Sequence, residues 1–328
     1  MKILVTGGGG FLGGAICRQL LDRGDEVIAY QRSADAELEK LAAKVVQGSI
    51  TDLKALSKAS HGCEAVIHTA AKAGVWGPYD DYYQPNVCGT ENVISVCRNN
   101  GIHKLVFTSS PSVTHADGDV EGGDESLPYA EHYNSPYPAT KALAEQMVMA
   151  AHGTDLQTVS LRPHLIWGPG DNHLLPHLLE RAKSGKLKLP GLDKLIDTVY
   201  IDNAAKAHLL ALDCLHSDPH TIGGKTYFIS NDEPMSQRQI IGGLLKAAGL
   251  DVDIQPISPR IAIATGILLE TVWKILKLKS EPPITRWSAE HLSTAHWYDI
   301  SAAKKDLGYT AEISVAEGLE KLSASLKK

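Results

Sequence analysis

The chain has 328 residues, 43% of them apolar, and a formal charge of −6, which suits one large α/β unit or two lobes around a sizeable core. The modest negative charge and the lack of a long basic run argue against a nucleic-acid partner. Cys17, Cys63, Cys88, Cys97 and Cys214 are scattered with no CxxC pair, and the N-terminal apolar run stops at glycines; both features point to a reducing cytoplasm rather than export.

In chain order, ILVTGGGGFLGG gives a β-branched strand pattern over residues 3–6, a glycine loop, and a helical pattern over 11–22. Gly7 permits a tight turn, Gly10 lets a pyrophosphate approach the backbone, and Gly13 allows close helix packing, while the helix N-terminus favours the anion. The second strand, 26–30, ends in VIAYQRS, where Gln31, Arg32 and Ser33 include no acid. That set suits the 2′-phosphate of NADP(H) better than the bare diol of NAD(H), with a solvent-facing Arg32 as the plain alternative.

Further strands are expected at 44–47, 65–69, 104–108 and 158–162, and helices at 52–60, 90–99 and 138–152. This alternation predicts an α/β fold, a Rossmann-type doubly wound parallel sheet. The loop AKAGVWGPYDDYY brings Trp76, Tyr79, Tyr82 and Tyr83 near the carboxyl edge of that sheet, as pocket wall or as packing. In VFTSSPSV, Ser110 is the candidate hydroxyl for orienting a carbonyl, and Ser109 the alternative. In SPYPATKALAEQMV, Tyr137 stands four residues before Lys141, one helical turn away on the same face. A phenol with an ordinary pKa near 10 needs such a cation to exchange protons at neutral pH. Taken alone, the same pair also fits a plain helix start, with Pro138 in the first turn and Lys141 reaching water.

Beyond Pro163 the rhythm changes. Residues 1–163 are assigned to a dinucleotide-binding domain, with sheet-completing pieces near 197–215 and 225–231. Residues 164–196 and 232–310 form a smaller, mainly helical substrate lobe, and 311–328 a terminal helix. The apolar stretch from Ile261 is broken by Glu270 and Lys274 and falls short of the roughly 20 apolar residues of a membrane span. Arg260, Lys274, Lys277 and Lys279 flank it. Core packing is its favoured reading; a lid over a lipid-like substrate, a seat in a membrane interface and a docking surface for a pathway enzyme stay open. His173 and His177 are four apart, but Pro176 is expected to interrupt their helix and no third ligand is evident, so no metal is expected.

Several motifs together resemble the extended short-chain dehydrogenase/reductase family along nearly the full length: TGGGGFLG at Thr6, HTAA at His68, NVCGTENV at Asn86, FTSSPSV at Phe107, YPATK at Tyr137, LRPHLIWGPGD at Leu161 and DTVYIDNAAKAHLLAL at Asp197. Within it the tail PPITRWSAEHLSTAHWYDISAAKKDLGY is similar to the 3β-hydroxysteroid dehydrogenase branch, and most of all to bacterial reductases of 2-alkyl-3-oxo acids in long-chain olefin biosynthesis. The resemblance implies a catalytic trio of Ser110, Tyr137 and Lys141. It adds Phe11, Leu12, Ser49, Ile50, Ala70, Ala71, Lys72, Pro163, Leu165 and Ile166 to the cofactor contacts. Asn86 would steady the active-site helix and a proton-relay water, while Arg162 and Asp202 would be structural. Ser49 stands where relatives commonly carry an aspartate that contacts adenine, leaving only a hydroxyl for that task. The implied reaction is NADPH-dependent reduction of a 3-ketone to a 3-hydroxy acid on a hydrophobic substrate. Alternatives are a sterol dehydrogenase, a nucleotide-sugar epimerase or dehydratase, and a non-catalytic NADP-sensing protein; a homodimer is left open.

Overall fold

Strands that are buried on both faces read as continuous apolar runs, and four of these lie in the first third of the chain. The computed structural model describes residues 1–114, 118–185, 187–278 and 280–327. It places β1 (Lys2–Thr6), β2 (Glu26–Gln31), β3 (Lys44–Gln47), β4 (Ala65–His68), β5 (Lys104–Thr108), β6 (Gln157–Pro163) and β7 (Lys225–Ile229) in one sheet. The order is β7-β6-β5-β4-β1-β2-β3, and every pairing is parallel. The winding reverses between β1 and β4, which opens the crevice where doubly wound sheets bind ligands.

Alternate residues of each strand feed opposite layers. Ile3 and Val5 pack with helix α1 (Phe11–Asp22) and the long helix α4 (Ile201–Ser217). Leu4 and Phe107 face the other way, toward α2 (Gly89–Asn99) and α3 (Pro136–Ala150).

Of the two segments expected to complete the sheet, Lys225–Ile229 does so beside β6, whereas Val199–Tyr200 pairs with Ile166–Trp167 in a separate two-stranded sheet. The chain is turned out of the main sheet at Leu165, whose φ is +41°, and the partner strand follows it there. The indole Nε1 of Trp167 donates to Thr198 Oγ1 at 3.0 Å and fixes the pair. The smaller lobe also carries a four-stranded sheet, which runs Met235–Ser236, Leu195–Ile196, His296–Tyr298 and Val120–Gly123. Its last strand comes from the dinucleotide-binding half of the sequence.

Two expectations are corrected by the helices. The apolar stretch is not core: in α5 (Pro259–Ile275) the buried residues are Ala262 and Gly266, Ile263, Leu269 and Val272 are half-buried, and Ile261, Ile267, Leu268 and Ile275 are exposed. Small residues make the inner contact, since a Cβ on Gly266 would lie 2.7 Å from the Thr285 backbone, at the cap of α6 (Arg286–His291). Lys279 lies outside the described residues. Pro176 does not interrupt its helix, Leu174–Lys183, because it falls in the first turn, where an N–H has no intrahelical acceptor.

Candidate active site

The glycine loop is as tight as its composition suggests. Gly7 has φ +74°, and its N–H donates to the Tyr30 carbonyl at 2.8 Å. A Cβ on Gly13 would stand 2.1 Å from the Gly7 oxygen, and one on Gly7 would stand 2.9 Å from the Ala70 backbone. Strand, loop and helix therefore meet as bare backbone. Gly10 caps α1 with no side chain, so first-turn N–H groups stay open to an anion. Leu12 is buried in the core, which leaves only its backbone for that purpose, while Phe11 is half-buried.

At the end of β2, Gln31 is buried and its Nε2 donates to the Ser33 carbonyl at 2.9 Å; Arg32 and Ser33 are exposed beside the loop. The Ser49 hydroxyl bonds Thr51 Oγ1 at 2.7 Å. Ile50 is buried against Gly89, where a Cβ would come within 2.5 Å of it. Ala70 is half-buried and Ala71 exposed at the mouth of β4. The ammonium of Lys72 is paired with Asp81 at 3.0 Å. Pro163 is buried at the end of β6, with Leu165 and Ile166 half-buried beyond it.

Ser110, Tyr137 and Lys141 come together at the carboxyl edge of β5. Ser110 caps the short turn Pro111–Val113; its Oγ lies 2.9 Å from Ser112 Oγ and accepts from Ser112 N at 3.3 Å, close enough to Tyr137 to act on its phenol. Ser109 is turned inward and buried, so Ser110 is the hydroxyl that faces the tyrosine. Burial raises the Tyr137 pKa, with the nearby Ser110 side chain pulling against it. The Lys141 ammonium is buried, donates to the Thr108 carbonyl at 2.6 Å and lies 4.1 Å from the centre of the Phe107 ring. Burial lowers its pKa to about 7, against the upward pull of Glu145.

Three polar networks hold this edge. Asn86 sits in the single π-turn Gln84–Cys88; its Oδ1 accepts from Lys72 N at 2.7 Å, while its Nδ2 donates to Lys72 O at 3.1 Å and Thr140 Oγ1 at 3.0 Å. It thus ties the loop after β4 to α3. His68 lies between Thr6 and Thr90, with Nδ1 2.6 Å from Thr6 Oγ1 and Nε2 3.0 Å from Thr90 Oγ1. The Thr90 hydroxyl spends its proton on the Asn86 carbonyl at 2.6 Å, so Nε2 must carry the hydrogen and Nδ1 must accept from Thr6. Third, Glu145, one turn past Lys141, is buried with Arg162 at 2.5 Å and accepts from Tyr129 at 2.8 Å and Ser160 at 3.0 Å. Burial raises the carboxyl of Glu145, but the Arg162 guanidinium more than offsets this and the net shift is downward.

Among the aromatic residues after β4, Tyr82 is a packing residue, buried with its hydroxyl on the Trp76 carbonyl at 2.9 Å; Tyr79 is exposed. His173 and His177 are both exposed. A different histidine group, not anticipated from spacing, gathers behind the site. His296 Nδ1 is 3.0 Å from His164 Nε2, and His296 stacks on His291 at 4.0 Å and 16°. Their in-plane lone pairs therefore lie in separate parallel planes, an arrangement of packed rings rather than of ligands converging on one ion. His291 also lines a cavity of about 570 Å³ with Tyr129, Tyr133 and Trp287.

The fold has many solved counterparts. A structure described as that of gox2253 superposes with a TM-score of 0.81 at 23% identity, covering 99% of this chain and 98% of the other. UDP-glucose 4-epimerase of Thermotoga maritima gives 0.78 at 22%, covering 100% and 99%. At these identities the likeness is one of fold. Sequence relatives reach further. The chain is 50% identical to the 2-alkyl-3-oxoalkanoate reductase of Stenotrophomonas maltophilia, over 99% of each chain. It is 35% identical to a decarboxylating sterol-4-alpha-carboxylate 3-dehydrogenase of Saccharomyces cerevisiae, over 98% of this chain and 97% of the yeast protein. The model of the 3-beta hydroxysteroid dehydrogenase/isomerase family matches residues 4–257. With the glycine loop, the Ser110–Tyr137 pair and the full-length relatives in agreement, the chain belongs to the 3-beta hydroxysteroid dehydrogenase/isomerase family and is an oxidoreductase acting on hydroxyl or keto groups.

Proposed function

We propose that the protein reduces the 3-ketone of a 2-alkyl-3-oxoalkanoic acid to the 3-hydroxy acid with NADPH, in the cytoplasm. The observation that carries this reading is the gathering of Ser110 and Tyr137 beside the buried Lys141, in a chain half identical to a reductase of that substrate class. The bare backbones of Gly7 and Gly13 fit a dinucleotide pyrophosphate, and the exposed guanidinium of Arg32, with no acid at the end of β2, fits a 2′-phosphate. The five free cysteines support a reducing compartment. Among the described residues no helix is long and apolar enough to cross a membrane.

When bound, the reduced nicotinamide supplies a hydride to the ketone carbon. Ser110 holds the ketone oxygen by a hydrogen bond, so that charge developing there meets a fixed donor. Tyr137, kept protonated by burial, transfers its proton to that oxygen, and the Lys141 ammonium stabilises the phenolate left behind. Asn86 holds α3 through Thr140 and so fixes where Tyr137 and Lys141 stand.

The test follows NADPH absorbance with 2-alkyl-3-oxoalkanoic acids of increasing chain length, sterol 3-ketones and UDP-sugars. The reverse oxidation of 2-alkyl-3-hydroxy acids with NADP⁺ guards against spontaneous decarboxylation of the oxo acids. Turnover with the oxo acids is expected. Consumption with UDP-sugars alone, or with none of the panel, overturns the reading.

A further inference from the structure

We infer that Ser112 is a positioning residue for the reduction proposed above, on which this reading rests: its hydroxyl holds that of Ser110 as a hydrogen-bond donor aimed at the substrate ketone. A ketone oxygen accepts hydrogen bonds and donates none. Ser110 therefore serves the reaction while its single proton is free, and a serine side chain alone does not keep it so, because the hydroxyl rotates to suit its neighbours.

Sequence and turn geometry supply the constraint. Pro111 has no N–H, so the first N–H that the turn Pro111–Val113 presents to its cap is that of Ser112, which donates to Ser110 Oγ at 3.3 Å. Ser112 also turns its own hydroxyl back, to 2.9 Å from Ser110 Oγ. A hydroxyl has two lone pairs and one proton. With Ser112 N and Ser112 Oγ both donating, the lone pairs of Ser110 are filled and its proton is all that it has left to offer. In the opposite sense, with Ser110 donating to Ser112, a ketone would meet no donor. Substrate selects the first sense, and the two chained hydroxyls polarise one another as negative charge grows on the ketone oxygen.

The surroundings keep Ser112 to this task. It is 8% exposed, and among the described residues Ser110 Oγ is the hydrogen-bond partner of its hydroxyl. Two neighbouring carbonyls already hold two donors each. Pro111 O accepts from Thr114 N and Thr114 Oγ1, both at 3.0 Å, and Val113 O accepts from Ala130 N at 3.0 Å and the Tyr133 hydroxyl at 2.8 Å. The same bonds clamp the turn, so the two serines stay at one spacing. Tyr137 registers the polarity: Ser110 pulls its pKa down against burial, the sense in which a donor acts on a phenolate.

The test reads single-turnover oxidation of NADPH, which product release does not limit, with whichever ketone of the panel the wild type reduces. Ser112→Ala is expected to lower this rate about 10-fold, while NADPH affinity, titrated by fluorescence, and the KM for the ketone stay within about 2-fold. Ser112→Thr keeps the hydroxyl and is expected to restore most of the rate. In a Ser110→Ala background, itself expected to lose at least about 100-fold, Ser112→Ala should add no further loss, because Ser112 then has nothing to orient. Thermal midpoints establish that the variants fold, and Ser112→Cys, nearly isosteric and a weak donor, carries the same test should the alanine variant not fold. An unchanged rate in Ser112→Ala, or as large a loss in the Ser110→Ala background as in the wild type, overturns the inference. Reduction of sterol ketones but not of oxo acids overturns the proposed substrate and still allows this comparison; a wild type that reduces no ketone overturns both.

Discussion

In the proposed reduction Tyr137 starts as an acid, since burial raises its pKa and holds its proton on, and the residue-scale predictions follow from that. Tyr137→Phe removes the donor but leaves the glycine loop untouched, so NADPH affinity should persist while turnover falls at least about 100-fold. Fluorescence titration and steady-state rates check the two halves, and an unchanged rate removes Tyr137 from the role. Arg32 stands free of the loop's packing, so Arg32→Ala should weaken NADPH far more than NADH; equal losses count against the phosphate contact. Lys141 carries its charge below about pH 7 and loses it above, since burial has lowered its pKa to that value. With the cation needed beside the phenol, kcat/KM should decline as pH rises through about 7, which a pH profile reads directly.

At the scale of elements, α3 is fastened to β6 by the Glu145–Arg162 pair, with both side chains buried. Glu145→Gln leaves the guanidinium buried without its counter-charge and should cost about 3 to 5 kcal/mol. Adding Arg162→Met should restore part of that loss, and a double-mutant cycle by urea unfolding measures how much. Such pairs mark the limit of what was legible beforehand. Phe11–Asp22, Glu26–Gln31 and Lys104–Thr108 form where local pattern placed them, because a buried strand or an amphipathic helix leaves its period in the sequence. Ser110, Tyr137 and Lys141 were legible as motifs. The histidine group of His164, His291 and His296 was not, since its members meet only through the four-stranded sheet and α6. The exposure of α5 also escaped, because an apolar helix reads the same whether its broad face is covered or left open, and only the small residues Ala262 and Gly266 mark the inner side.

At the scale of the whole molecule, two neutral histidines make stability sensitive to acid. Burial lowers His68 to about 3 and His208 to about 4 from an ordinary value of 6.5. The unfolded chain therefore binds protons below about pH 6.5 that the folded chain refuses. The stability this confers is fully present above that pH and is lost as pH falls through the folded values. The slope is about 1.4 kcal/mol per pH unit for each ring. Urea midpoints should decline between pH 6.5 and 5, and a flat profile contradicts the assignment. His68 has a second consequence, one of direction. Thr6 gives its hydrogen to His68, His68 to Thr90, and Thr90 to the backbone of Asn86, so a carbonyl in the π-turn dictates which nitrogen bears the hydrogen in a ring beside the glycine loop. Asn86 meanwhile grips α3 with its side chain. One residue thus anchors a polarised line running to the cofactor crevice and a clamp on the helix of Tyr137, and a shift of that turn would slacken both together.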